Sequence, residues 1–161
     1  MGRGKGARVA RDAAERFDRP VRVLFVCTGN SCRSQMAEGW ARALKAGEVE
    51  AESAGTRPAG MNPLAVRAMR EAGVDISGQR SKSVGEFDGR GFDVVATVCD
   101  AADGACPVVG GAAIRVHRSF DDPPKLAETA RDEEEAMRHY RRVRDEIRAW
   151  VESMPGSILG A

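Results

Sequence analysis

Four consecutive apolar residues, Val23-Leu24-Phe25-Val26, predict a buried strand that ends at Cys27. Residues 34–44 then change period. Met36, Ala37, Trp40, Ala41 and Leu44 recur on one face of a predicted helix. Residues 49–54 alternate weakly and predict a second strand. Asn62-Pro63 has the form of a helix start, with Asn as N-cap and Pro in the first turn. That helix runs to about Ala72, buries Leu64, Ala65, Ala68 and Met69, and stops at Gly73. Residues 74–83 are polar and predict a loop. Residues 92–98 and 114–117 predict two more strands. From Asp132 to Met154, Ala136, Tyr140, Val143, Ile147, Trp150 and Met154 step by four and three along one long helix. Glu133 to Glu135 suit its N-terminus, and Pro155-Gly156 stops it.

Strands alternating with helices predict a single α/β domain in three layers. A central parallel sheet of about four strands would carry helices on both faces. In such sheets ligands lie beyond the carboxyl ends of the strands. Cys27 and Cys99 both stand there, directly after Val26 and Val98. Residues 1–20 are rich in Gly, Ala and Arg and lack a sustained apolar face. They read as a flexible extension, with a short helix over residues 9–17 as the alternative, and residues 21–161 form the domain.

Composition narrows the function classes. In 161 residues the formal net charge is +1 and aromatic residues make up 5%, which points away from nucleic acid. No apolar run reaches the length of a membrane span, and no apolar stretch follows the basic N-terminal residues as a secretory signal would. The expectation is a cytoplasmic monomer whose thiols are kept reduced.

The chemistry concentrates in Cys27-Thr28-Gly29-Asn30-Ser31-Cys32-Arg33-Ser34. A loop of small residues between a strand and a helix can turn its N–H groups inward as an anion nest. Arg33 adds a planar fork that grips two oxygens of a tetrahedral anion. A thiol in that positive field is a nucleophile. The alternative is a buried cysteine beside a helix-capping loop. Ser34 could donate to the Cys27 sulfur, cap the helix, or both, and Asn30 could brace the loop. Cys32 would lend a backbone N–H, and an exposed thiol there would be open to accidental oxidation. His117 and His139 read as ordinary surface histidines.

Four cysteines allow three readings. Structural disulfides do not fit the missing signal. A zinc site from Cys27, Cys32, Cys99 and Cys106 has one good spacing, but its second gap is long and Arg33 would repel the cation. A redox relay fits best, because the small residues between Cys99 and Cys106 can bend.

The spacing from Cys27 to Arg33-Ser34 resembles the phosphate loop of low-molecular-weight protein tyrosine phosphatases and of arsenate reductases on the same fold. The wider pattern resembles the thioredoxin-coupled arsenate reductases in particular. It comprises residues 27–40, Ser53-Ala54-Gly55, Asn62-Pro63, Val74-Asp75-Ile76-Ser77, Cys99, Cys106-Pro107 and Phe120-Asp121-Asp122-Pro123. Phosphatases of this fold usually carry proline where this chain has Gln35, and tyrosine where it has Pro124.

The resemblance implies a phosphotyrosine phosphatase I-like fold and reduction of arsenate to arsenite. Residues 28–34, that is Thr28, Gly29, Asn30, Ser31, Cys32, Arg33 and Ser34, would bind the oxyanion, with phosphate and sulfate as competitors. Cys27 would attack, Asp122 would supply a proton, and Cys99 and Cys106 would carry the disulfide outward to thioredoxin as external electron donor. No bound cofactor and no catalytic metal are implied. Asp121, and alternatively Asp122, would be turn residues before proline. Some relatives bind potassium through residues matching Asn30, Glu38 and Ser53, but Lys82 stands where the remaining ligand is usually Asp. Glu38 can also be read as one half of an exposed pair with Arg42. Two other functions remain open: phosphomonoester hydrolysis through a Cys27 phospho-intermediate, which needs neither Cys99 nor Cys106, and a non-enzymatic oxyanion-binding or redox-sensing module.

Overall fold

The computed structural model describes residues 19–99 and 114–159. The possible helix over residues 9–17, and Cys106 with it, lie outside the described residues. Among the described residues four strands, β1 (Val21–Cys27), β2 (Val49–Gly55), β3 (Val94–Thr97) and β4 (Ile114–His117), form one parallel sheet in the order β2-β1-β3-β4. Among the described residues four α-helices accompany them: α1 (Arg33–Leu44), α2 (Pro63–Glu71), α3 (Pro123–Ala127) and α4 (Glu133–Glu152). The chain leaves β1 for β2 on one side and returns to place β3 on the other. The strand order therefore reverses between β1 and β3, which opens a crevice beyond their carboxyl ends.

Alternation along the strands separates two apolar layers. Val21, Val23, Phe25 and Cys27 of β1 face the larger core, with Met36, Ala37, Trp40 and Ala41 of α1 and Met137, Tyr140, Val143 and Ile147 of α4. Trp40 also donates its indole N–H to the Arg144 carbonyl at 3.1 Å, which ties α1 to α4. Leu24, Val26, Ala54 and Val95 face the other way. They meet Phe87, Val84 and Phe92, which lie in and after a 3₁₀ turn over Val84–Phe87.

The predicted N-cap holds: the Asn62 side chain accepts from the N–H groups of Leu64 and Ala65, and Pro63 opens α2. Asp132 caps α4 by accepting from Glu135. Several details differ from expectation. Leu44 is exposed, because it ends α1 past the packed face. Leu64 is only partly buried. The strand expected over residues 92–98 is shorter, at Val94–Thr97. The 3₁₀ turn and the five-residue α3 escaped the pattern, being too short to show a period.

The polar loop 74–83 is no free surface loop, since Ile76 and Lys82 are buried within it. Ile76 lies against Gly39 of α1, where an added Cβ would stand 2.5 Å from Ile76 Cγ2. Alanine normally gains up to about 1 kcal/mol over glycine inside a helix. Overpacking a close contact costs roughly 1–3 kcal/mol. Gly39→Ala should therefore lower the unfolding free energy in urea, by up to roughly 2 kcal/mol on those terms. A more stable variant would mean that loop 74–83 yields without cost.

Candidate active site

Cys27 ends β1, Arg33 opens α1, and five residues turn between them. The loop's carbonyls are held from outside. Thr28 O accepts from Arg57 N (2.9 Å), Gly29 O from Ala59 N (2.9 Å), and Ser31 O from Asn62 N (3.1 Å). Ser81 Oγ donates a second bond to Gly29 O at 3.0 Å. In a trans peptide the carbonyl and the following N–H point in opposite directions. Outward carbonyls at 28, 29 and 31 thus turn the N–H groups of 29, 30 and 32 inward. The N-terminus of α1 adds its partial positive charge behind them. Asn30 takes φ +46°, a left-handed conformation that asparagine tolerates better than most residues. Gly55 at the end of β2 leaves room for this curl, since a Cβ there would lie 2.5 Å from Thr28 O and 2.9 Å from Asn30 N.

A buried chain of hydrogen bonds leads to the thiol. Ser34 Oγ is 2.9 Å from Cys27 Sγ. The Asn30 amide donates to Ser34 Oγ (2.8 Å) and to Ser53 Oγ (2.9 Å). Its oxygen accepts from Gln35 Nε2 (3.0 Å) and from the Lys82 N–H (2.8 Å), so the amide cannot turn over. With Asn30 donating to it, Ser34 keeps its own proton for the sulfur. Ser53 in turn donates to Glu38 Oε1 at 2.9 Å, and Lys82 Nζ lies 3.1 Å from the same oxygen. Glu38 is 1% exposed, so the exposed-pair reading fails; Arg42 Nε does approach its other oxygen, at 3.4 Å. Lys82 also lies 3.6 Å from Glu52. Glu38 and Ser53 are thus gathered beside Lys82, whose backbone N–H is bound to Asn30.

Arg33 is buried. Its Nη1 donates to Phe120 O at 3.0 Å and its Nη2 lies 3.6 Å from Asp122 Oδ1. Asp122 occupies the N-cap position of α3 but makes no side-chain cap bond there. Its neighbour Asp121 turns outward to Arg142 at 3.0 Å, as a turn residue would.

Cys99 follows β3 and is buried, with its Sγ 3.9 Å from the carbonyl of Val26, the residue before Cys27. Both thiols thus stand at the carboxyl ends of the neighbouring strands β1 and β3. Cys32 is buried, so the alternative of an exposed, oxidisable thiol does not arise. Burial, with Cys27 and Asp122 nearby, pushes its thiol well above the usual range, so it stays protonated and inert. The described residues hold no group of three His, Cys, Asp or Glu side chains placed for a metal. His117 shares a 2.7 Å hydrogen bond with Thr97 on the neighbouring strand. No described helix is long and apolar enough to cross a membrane.

Sequence reasoning missed the glutamine pair behind the loop. Gln35 Nε2 also donates to the carbonyls of Asn30 (3.0 Å) and Arg80 (2.9 Å), and Gln79 donates to Gln35 Oε1 at 2.8 Å. Gln35 showed only as a departure from the phosphatase pattern. Its partners Gln79 and Arg80 come from loop 74–83, which has no periodicity to place it.

Residues 22–158 match the family described as low molecular weight phosphotyrosine protein phosphatase. An arsenate reductase of Halalkalibacterium halodurans is 46% identical over 125 residues, covering 78% of this chain and 88% of that protein. A solved arsenate reductase in the phosphate binding state superposes with a TM-score of 0.72 at 33% identity, covering 86% of this chain and 98% of the other. The thioredoxin-dependent arsenate reductase of Corynebacterium glutamicum gives 0.58 at 25% identity, covering 92% and 69%.

The Lys82 ammonium lies 3.1 Å from Glu38 and 3.6 Å from Glu52, and so supplies beside these two carboxylates the charge that a monovalent cation would bring. Melting temperatures in potassium and sodium chloride at equal ionic strength should therefore coincide. A gain specific to potassium would show that the two carboxylates still accept an ion.

Proposed function

This chain belongs to the low molecular weight phosphotyrosine protein phosphatase family, and from that premise we propose that it reduces arsenate to arsenite with thioredoxin as electron donor. The observation that supports the reading is a second thiol at the same sheet edge, with Cys27 beside Ser34 at the start of the oxyanion loop and Cys99 against the carbonyl of Val26 on the same strand. Phosphoryl transfer needs only the first. Arsenate reduction needs two electrons, and a second thiol supplies the partner for them.

Cys27, as thiolate, attacks arsenic while the inward N–H groups and Arg33 hold the other oxygens. One arsenate oxygen leaves as water, and Asp122 supplies its proton. Arg33 beside Asp122 keeps that carboxyl at the mouth of the loop. Cys99 then attacks the Cys27 sulfur. The sulfur–arsenic bond breaks with its electron pair on arsenic, which departs as arsenite, and a Cys27–Cys99 disulfide remains. Cys106 attacks Cys99, frees Cys27 and moves the disulfide to 99–106. Cys106 lies outside the described residues, so this last step rests on the resemblance in sequence. The dithiol of thioredoxin restores the pair; the Corynebacterium relative described as thioredoxin-dependent supports that donor.

Turnover of arsenate with thioredoxin, thioredoxin reductase and NADPH tests the reading directly. NADPH consumption that depends on arsenate supports it, and its absence in the folded, reduced protein overturns it. Cys27→Ser should abolish turnover, because a hydroxyl lacks the nucleophilicity of a thiolate. Arg33→Lys should lose roughly 10²–10³-fold in kcat/KM, since an ammonium cannot reproduce the bidentate fork. The phosphatase reading retains one observation in its favour: Cys27, Arg33 and Asp122 suffice for phosphoryl transfer. Slow aryl-phosphate hydrolysis should accordingly survive in Cys99→Ser, and its selective loss there would contradict this division of labour.

A further inference from the structure

We propose that Lys82 is a positioning residue for Cys27: its ammonium anchors the far end of the buried chain that aims the Ser34 hydroxyl at the nucleophile. The proposal rests on the reading of Cys27 as nucleophile. Four hydrogen bonds and one ion pair connect the two residues. They run from Lys82 Nζ to Glu38 (3.1 Å), from Ser53 to Glu38 (2.9 Å), from Asn30 to Ser53 (2.9 Å) and to Ser34 (2.8 Å), and from Ser34 to Cys27 (2.9 Å). Glu38 is 1% exposed and Lys82 7%. A carboxylate so deeply buried persists only beside a compensating charge. Arg42 reaches Glu38 as well, but at 3.4 Å and from a side chain that is half in solvent. The charge within the core is Lys82.

Direction along the chain follows from chemistry. A carboxylate only accepts, so the single Ser53 proton is committed to Glu38 and Ser53 must accept from Asn30. The second N–H of that amide then goes to Ser34, which leaves the Ser34 proton for the sulfur. If the ammonium is removed, Glu38 must find its compensation elsewhere, by drawing in solvent or a proton or by moving toward Arg42. Each response frees Ser53 and loosens Asn30 and Ser34.

The backbone of Lys82 is engaged separately. Its N–H donates to Asn30 Oδ1 at 2.8 Å and its carbonyl accepts from Gly55 N at 2.8 Å. Truncating the side chain therefore leaves the loop's backbone anchors in place. A cavity of about 330 Å³, lined by Arg42, Glu52, Arg80, Lys82 and Phe87 among others, gives small cations access from solvent.

The test reads the nucleophile itself, without arsenate. The rate of Cys27 alkylation by iodoacetamide is followed by mass spectrometry in wild type, Lys82→Ala and Lys82→Arg, with sodium or ammonium chloride at equal ionic strength. Lys82→Ala should react roughly tenfold more slowly in sodium, the size of one hydrogen bond to a charged group. Ammonium should restore much of the rate by filling the truncated position, while wild type responds to neither salt. Lys82→Arg, which keeps the charge, should remain within about threefold of wild type. A folded Lys82→Ala at the wild-type rate overturns the proposal. So does a slow Lys82→Ala that ammonium leaves unchanged when Lys82→Arg is equally slow, because the side chain would then matter only for packing. If Lys82→Ala does not fold, Lys82→Gln keeps an N–H donor near Glu38 and removes only the charge; the same slowing is expected, and a wild-type rate overturns the proposal. An unreactive Cys27 in wild type would instead remove the nucleophile on which both readings stand.

Discussion

Backbone N–H groups can face an anion only where the carbonyls that share their peptide planes are satisfied elsewhere. That constraint governs this structure. Segment 57–62 and Ser81 take the outward carbonyls of the loop, Gly55 leaves space beneath it, and Asn30 accepts the left-handed turn. The parallel sheet sets the foundation: β1 delivers Cys27 to the carboxyl edge, where reversal of strand order opens a crevice and β3 brings Cys99 alongside. The second thiol distinguishes what the loop can do, since a cup and a nucleophile serve phosphoryl transfer and oxyanion reduction alike.

Burying charge is expensive, and this site buries several. Arg33, Glu38 and Lys82 are all nearly closed to solvent, and each has a partner of opposite charge. Such pairs give little net stability against an apolar replacement, yet breaking one is costly. Their use here is geometric. Arg33 is held by Phe120 O and stands near Asp122, and Glu38 fixes which way Ser53 donates. Among the described residues, no buried side-chain nitrogen or oxygen lacks a hydrogen-bond partner, so the polar core is fully connected.

Much of this was legible in the sequence. The strand into Cys27, the Asn62-Pro63 start and the inward face of α4 follow from periodicity and capping, which are local. Cys27 and Cys99 could be assigned to one edge because parallel sheets put their carboxyl ends together. Lys82 could be aligned beside Glu38 but not seen to be buried. Its burial depends on the depth of a loop whose own pattern is polar. The contact between Gln35 and Gln79 was invisible for the same reason, since neighbours remote in sequence determine what a polar side chain touches. Leu44 erred the other way: the helical period continues to the end of α1, while the core stops one turn earlier.

The central claim, that Cys27 passes an arsenate-derived disulfide to Cys99 and then outward, is tested most directly by trapping the intermediates. Reduced protein would be treated with one equivalent of arsenate, its free thiols blocked, and its disulfides mapped by mass spectrometry. The account predicts a Cys99–Cys106 disulfide in the wild type and a Cys27–Cys99 disulfide in Cys106→Ser, with a single turnover of arsenite in that variant. A Cys106→Ser variant that cycles normally with thioredoxin, or a disulfide from Cys27 to Cys32, would contradict it.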